Sequence, residues 1–205
     1  DKPQVKALLP SFYQVVHKHH EQRQHGVSTL IGISDRRKQQ YSDRMRRDWD
    51  MRAQEDVFHY VASQAESWTS AQFFEFGRQL AQLVLGRIDH FGFDSSGKRT
   101  LEIRCSVGRL SPGFAEPFAE VWGINESKEM VEMAAPYCPL PNERSVQGNG
   151  YDFSQVPDAN FDYVFSYQVF RNMPNRWIVC NYRLETFRVL RPGGVFHLLF
   201  PQRSV

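Results

Sequence analysis

The chain has 205 residues, 41% of them hydrophobic and 23% charged, which is enough apolar material for one well-cored globular domain with a short appendage. No apolar run approaches the roughly 20 residues needed to cross a bilayer, and the N-terminus has no apolar segment of the secretory type. The net charge of +2 is unevenly spread: residues 1–52 carry 11 Lys/Arg against 6 Asp/Glu, and the remainder carries 14 against 17.

Residues 1–40 read as a basic lead-in, with Val5 to Val16 as a short helix interrupted by Pro10 and Gly26 to Ser34 as a turn or loop. The runs Arg36-Arg37-Lys38 and Arg44-Met45-Arg46-Arg47 suit an arm that touches phosphates, acidic lipid or an acidic partner, or a solvated helical face. No nucleic-acid module accompanies them. Residues 41–92 read as a helical cover. Trp49, Ala53, Val57, Tyr60 and Val61 share one face of a helix over 41–65. Thr69-Ser-Ala-Gln72 is a capping box, after which Phe73, Phe76, Leu80, Leu83, Val84 and Ile88 recur at helical spacing until Gly92.

From residue 93 onward strands and helices alternate. The predicted strands are Thr100–Ile103, Glu120–Ile124, Ser145–Gln147, Phe161–Ser166 and Val195–Phe200, and the predicted helices Leu110–Pro117, Lys128–Ala135 and Trp177–Leu190. Such alternation demands a mainly parallel, doubly wound α/β sheet with helices on both faces. Ligands of such sheets bind beyond the carboxyl ends of the strands, where the strand order reverses. That gathers the loops 104–108, 125–127, 150–153 and 166–172 around one pocket.

The cysteines Cys105, Cys138 and Cys180 lack metal-type spacing, and their odd number suits a reducing compartment such as the cytoplasm. Cys105, in the first loop, is either a reactive thiol or a small residue filling a tight turn. His17-Lys18-His19-His20 and His25 have no cysteine or carboxylate cluster to complete a metal site, so no metal is expected.

Four segments, in order, resemble the signatures of class I S-adenosylmethionine-dependent methyltransferases over roughly residues 50–200. They are Leu101-Glu-Ile-Arg-Cys-Ser-Val-Gly-Arg-Leu110, Val121-Trp-Gly-Ile-Asn-Glu-Ser-Lys-Glu-Met130, Phe161-Asp-Tyr-Val-Phe-Ser-Tyr-Gln-Val-Phe170 and Leu190-Arg-Pro-Gly-Gly194. The resemblance implies a Rossmann-like methyltransferase sheet with S-adenosylmethionine as cofactor. It places Glu102 near the cofactor's amino group and Gly108 at the end of the glycine loop, which Arg104, Cys105 and Ser106 complete. It places Asn125 and Glu126 near the ribose, and Met130 on the cofactor side of the next helix. Asp152 and Phe153 fall beside the adenine, and Ser166 to Val169 beside the transferred methyl group.

The departures from that pattern are specific. Arg104 and Ser106 stand where the family has glycines, and a guanidinium ~5 Å from the cofactor's sulfonium costs on the order of 3 kcal/mol at an effective dielectric of about 20. Arg104 has the option of swinging away or pairing with Glu102. Asn125 replaces the carboxylate that takes both ribose hydroxyls. The family sheet continues with two further strands after the Pro-Gly-Gly strand, whereas this sequence stops at Val205, so its last strand is expected to show an open edge unless something covers it.

Two functions follow. One is a methyltransferase with an unidentified acceptor, for which Tyr41, His59, Tyr60, Tyr167 and Asn172 are the polar groups near the reacting end and no base is assigned. The other is a non-catalytic pseudo-methyltransferase, a binding module or subunit of a larger assembly that docks through the sheet edge and the basic arm. A dinucleotide-dependent oxidoreductase fits less well, because its loop needs Gly-x-Gly-x-x-Gly and only Gly108 is present.

Overall fold

The computed structural model describes residues 12–17 (as backbone), 33–170, 173 and 175–200. Six strands form one sheet in the order β1-β6-β5-β2-β3-β4. They are β1 (Phe12–His17), β2 (Arg99–Ile103), β3 (Glu120–Asn125), β4 (Glu143–Gln147), β5 (Phe161–Tyr167) and β6 (Leu190–Phe200). The five strands from β2 to β6 run parallel and β1 is antiparallel to β6. The helices are α1 (Asp35–Val61), α2 (Ser70–His90), α3 (Ser111–Ala115), α4 (Lys128–Tyr137) and α5 (Arg176–Val189). This is the doubly wound, Rossmann-like sheet with a helical N-terminal extension that the alternation of elements predicts.

Helix α2 starts where the capping box places it. Thr69 Oγ1 accepts from Gln72 N at 3.3 Å, and Gln72 Oε1 accepts from Thr69 N at 3.0 Å. Its Phe76, Leu80, Val84 and Ile88 lie on one sheet face with Phe114, Tyr163 and Phe165. On the other face Trp177, Ile178, Tyr182 and Val189 of α5 pack with Leu101, Ile103, Ile124 and Phe196. A third cluster joins Ala53 and Val57 of α1 to Phe73 of α2, Val107 of the first loop and Met130 of α4, so the N-terminal helices close over the loops at the carboxyl end of the sheet. Gly77 permits that approach, since a Cβ there would lie 2.0 Å from the carbonyl oxygen of Arg109.

Several expectations need correction. The segment 12–17 is a strand, not part of a helix; Phe-Tyr-Gln-Val-Val-His is rich in strand-favouring residues and the edge of β6 supplies its partner. The edge of β6 is therefore covered, with Phe12 opposite Phe200 and His17 opposite Val195. The rest of the proposed Val5 to Val16 helix, and His19, His20 and His25, lie outside the described residues.

Helix α1 begins at Asp35 rather than Tyr41, and it kinks at Asp56 (φ −161°, ψ 87°), whose Oδ1 accepts from His59 N at 3.0 Å and restarts the last turn. Strand β6 begins at Leu190 rather than Val195, because Leu190 already pairs with Phe161; the Arg-Pro-Gly-Gly connection, with Gly193 left-handed at φ 81°, then bulges before pairing resumes between Tyr163 and Val195. Among the described residues no helix is long and apolar enough to cross a membrane.

Candidate functional site

The strand order reverses at β2, which has β3 on one side and β5 on the other, and a cavity of about 260 Å³ opens beyond its carboxyl end. The loop leaving β2 keeps the backbone path of a glycine loop. Arg104 (φ 58°), Ser106 (φ 57°) and Gly108 (φ 75°) are all left-handed. For the two residues with side chains this conformation costs roughly 1–2 kcal/mol each. Cys105 turns inward against Gly123 of β3, where a Cβ would lie 2.5 Å from its Sγ. Burial first, then the Glu102 and Glu143 carboxylates, push its thiol well above the usual cysteine range, so Cys105 is an inert packing residue rather than a nucleophile.

Arg104 lines the cavity and grips Glu126 with two bonds, Nε to Oε2 at 2.9 Å and a second, short contact from Nη2 to Oε1. The side chains are 7% and 1% exposed, and Met45 of α1 lies 3.4 Å from Nη2. Arg104 thus pairs with Glu126, not with Glu102. Asn125 is occupied as well, since its Oδ1 accepts from Ser127 N at 2.8 Å. Ser127 caps α4 by accepting from Met130 N at 3.2 Å, and its hydroxyl donates to Asp50 of α1 at 2.6 Å. That bond fixes the cover helix to the second loop.

Glu102 and Arg109 complete the floor, 4% and 5% exposed. Burial pushes the Glu102 carboxyl up to about 8; Arg109 opposes this and Glu143 adds to it. Among the described residues Glu102 Oε2 finds no donor, and Arg109 Nε and Nη1 find no acceptor. The Arg109 guanidinium carbon instead sits 5.9, 5.8 and 5.4 Å from the ring centres of Phe73, Phe76 and Tyr167.

Of the sequence-predicted site residues, Glu102, Arg104, Cys105, Ser106, Asn125, Glu126 and Met130 meet at this cavity. Ser106 Oγ donates to Met130 Sδ at 3.5 Å. Gly108, Asp152, Phe153 and Ser166 do not line it. Asp152 accepts from Asn149 Nδ2 at 2.6 Å and Ser154 N at 2.9 Å within its own loop, while Phe153 is buried in the α5-side core. Ser166 is fully buried in β5.

Tyr60 and Tyr167 line the cavity, with Tyr60 Oη donating to Glu55 at 2.9 Å. Tyr41 bonds Asn175 at 3.2 Å away from it, His59 is exposed, and Asn172 lies outside the described residues. Sequence reasoning missed Trp49, Val61, Ser63 and Gln64 of the cover as lining residues, and Arg109. The signal for Arg109 was its place directly after Gly108 at the mouth of the loop.

A sequence profile describing a methyltransferase domain matches residues 101–198. A probable S-adenosylmethionine-dependent methyltransferase of Mycolicibacterium smegmatis is 32% identical over 60% of this chain and 44% of its own length. A sterol 24-C-methyltransferase of Gibberella zeae is 26% identical over 90% of the chain and 56% of its own length. The chain thus spans about half the length of these curated relatives. In fold it is similar to phosphoethanolamine N-methyltransferase 1 of Haemonchus contortus, solved with phosphoethanolamine and S-adenosylhomocysteine. The TM-score is 0.60 at 19% identity, over 77% of this chain and 32% of that one. A DhpI complex with S-adenosylhomocysteine gives a TM-score of 0.56 at 20% identity, over 77% and 68%.

Proposed function

Since residues 101–198 form a domain of the class I S-adenosylmethionine-dependent methyltransferase family, we propose that this chain uses the fold as a non-catalytic binding module whose own side chains close the cofactor's nucleoside site. The observation that carries the reading is the buried fork between Arg104 and Glu126. The pairing neutralises most of the repulsion between Arg104 and a sulfonium, so the obstacle is volume rather than charge. Opening the fork leaves at least one buried charge alone, which costs about 3–5 kcal/mol. That corresponds to roughly a hundred- to several-thousand-fold in affinity.

Two further observations agree. Asn125 spends its carbonyl oxygen on Ser127, and Asp152 is tied into its own loop outside the cavity. These residues do not fit the cofactor. In an assembly, the exposed Arg36 and Arg37 at the start of α1 are the face we assign to an acidic partner.

The second reading, an active methyltransferase with an acceptor of its own, is favoured by Glu102. Its Oε2 lacks a partner among the described residues, at the position that the resemblance gives to the cofactor's amino group. Calorimetric titration of S-adenosylmethionine and S-adenosylhomocysteine separates the two. The natural chain is expected to give no binding heat, and the Arg104→Gly/Glu126→Leu variant is expected to gain binding. Micromolar binding by the natural chain overturns the proposal.

A further inference from the structure

The Arg104–Glu126 fork leaves unused two other ionisable groups of the same cavity, Glu102 and Arg109. Both are more than nine-tenths buried, and both keep polar atoms that no described residue satisfies. Three aromatic rings surround the Arg109 guanidinium, but ring faces do not replace the oxygen acceptors that its in-plane N–H groups require. A buried guanidinium whose Nε and Nη1 lack acceptors among the described residues is costly to the empty protein and has N–H groups to offer an oxyanion.

The rest of the wall narrows the ligand. Trp49, Leu110, Met130 and Val169 are apolar, and the volume of about 260 Å³ lies just below the usual range of roughly 300–1,000 Å³ for ligand pockets. We propose that this cavity binds a small organic monocarboxylate, with Arg109 donating to its carboxylate and its apolar body lying against Trp49, Leu110, Met130 and Val169. The proposal rests on the closed-cavity reading above, because the fork is what leaves room for a compact ligand only.

The electrostatics select the charge of the ligand. Glu102 faces Arg109, which favours its ionised form, and Glu143, which opposes it; the Cys105 and Cys138 thiols both sense its charge. Held at about 8, the Glu102 carboxyl is mostly protonated at neutral pH, where it adds an O–H donor beside Arg109. Arg104 is already neutralised by Glu126, so among the described lining residues Arg109 is the cation left to face the ligand. A single negative charge balances that cation. A phosphate dianion overcompensates it, and an α-amino acid brings an ammonium that must first ionise Glu102.

The test is calorimetry on the full chain at pH 6.5 with butyrate, phenylacetate, inorganic phosphate, methionine and S-adenosylmethionine. Butyrate or phenylacetate is expected to bind, at least about tenfold more tightly than phosphate or methionine. Their affinity is expected to fall by up to about tenfold per pH unit above pH 8, as Glu102 ionises. Glu102→Gln is expected to keep binding and abolish that fall. Arg109→Lys, which keeps the charge but loses the planar fork, is expected to weaken binding at least about tenfold.

Should Arg109→Lys fail to fold, the pH profile and the Glu102→Gln variant decide. No heat with either carboxylate, stronger binding of phosphate or methionine, or a flat pH profile each overturns the proposal. Binding of both S-adenosylmethionine and a carboxylate overturns the closed-cavity reading alone. Binding of S-adenosylmethionine without a carboxylate overturns both.

Discussion

The Arg104–Glu126 fork makes a quantitative demand that a double-mutant cycle can meet or refuse. Removing one partner strands the other at 7% or 1% side-chain exposure, in a setting where an unpaired charge costs about 3–5 kcal/mol. Glu126→Leu should lose this in full. Arg104→Gly recovers roughly 1–2 kcal/mol of left-handed strain at φ 58°, leaving a net loss of about 2–3 kcal/mol. The double variant strands no charge and keeps the strain relief, so its stability should lie close to that of the parent. In a domain of this size 1 kcal/mol moves Tm by about 2–4 °C, so the single losses fall at about 4–20 °C. Urea unfolding followed by tryptophan fluorescence gives the coupling energy, expected at about 5–8 kcal/mol because the double variant escapes both single losses. Single losses that simply add, within about 0.5 kcal/mol, would refute the pairing argument.

Three other predictions concern the frame around the site. His197 is held down to about 4 by burial and then by the Arg87 cation, with its Nδ1 2.7 Å from the Tyr163 hydroxyl. Its native pKa lies below the unfolded one, so its contribution is complete above about 6.5 and is lost as pH falls towards 4. The total is about 3 kcal/mol, and His197→Gln should flatten that part of the urea-midpoint profile between pH 7 and 4.5. Asp50→Ala removes the acceptor of Ser127 Oγ and should cost about 1–2 kcal/mol; proteolysis should then nick α1 sooner, and an unchanged rate argues against the anchor. Deleting residues 1–17 bares the edge of β6 and should turn a monodisperse chain into an associating one by light scattering; unchanged monodispersity would contradict the pairing with β1.

Much of the fold was legible because its signals are local. The capping box at Thr69 to Gln72, the apolar spacing of α2 and the strand–loop–helix units each lie within a dozen or so residues. The site was legible only as a list of loops. That Arg104 reaches Glu126 depends on how β2 and β3 register, which no local pattern encodes. The left-handed backbone at Arg104 and Ser106 was equally hidden, since side chains there argue against the conformation that the surrounding structure imposes. Asp152 and Phe153 were placed by resemblance; the bond from Asn149 to Asp152 and the burial of Phe153 depend on tertiary packing that no local pattern encodes. Strand β1 stayed unread because Pro10 and the histidines around it give no clean alternation, and its partner lies at the far end of the sequence.

That partner gives the molecule an unusual order of assembly. The parallel ladders among β2, β3 and β4 join neighbours in sequence, while Phe12 must find Phe200 across almost the whole described chain. Loop closure of that length is slow, although its entropy grows only with the logarithm of the separation. During synthesis, β1 must therefore wait, exposed, until β6 has emerged. The seam at β1 and β6 is expected to close last and to open first, making it the place where hydrogen exchange should report the lowest protection in the sheet.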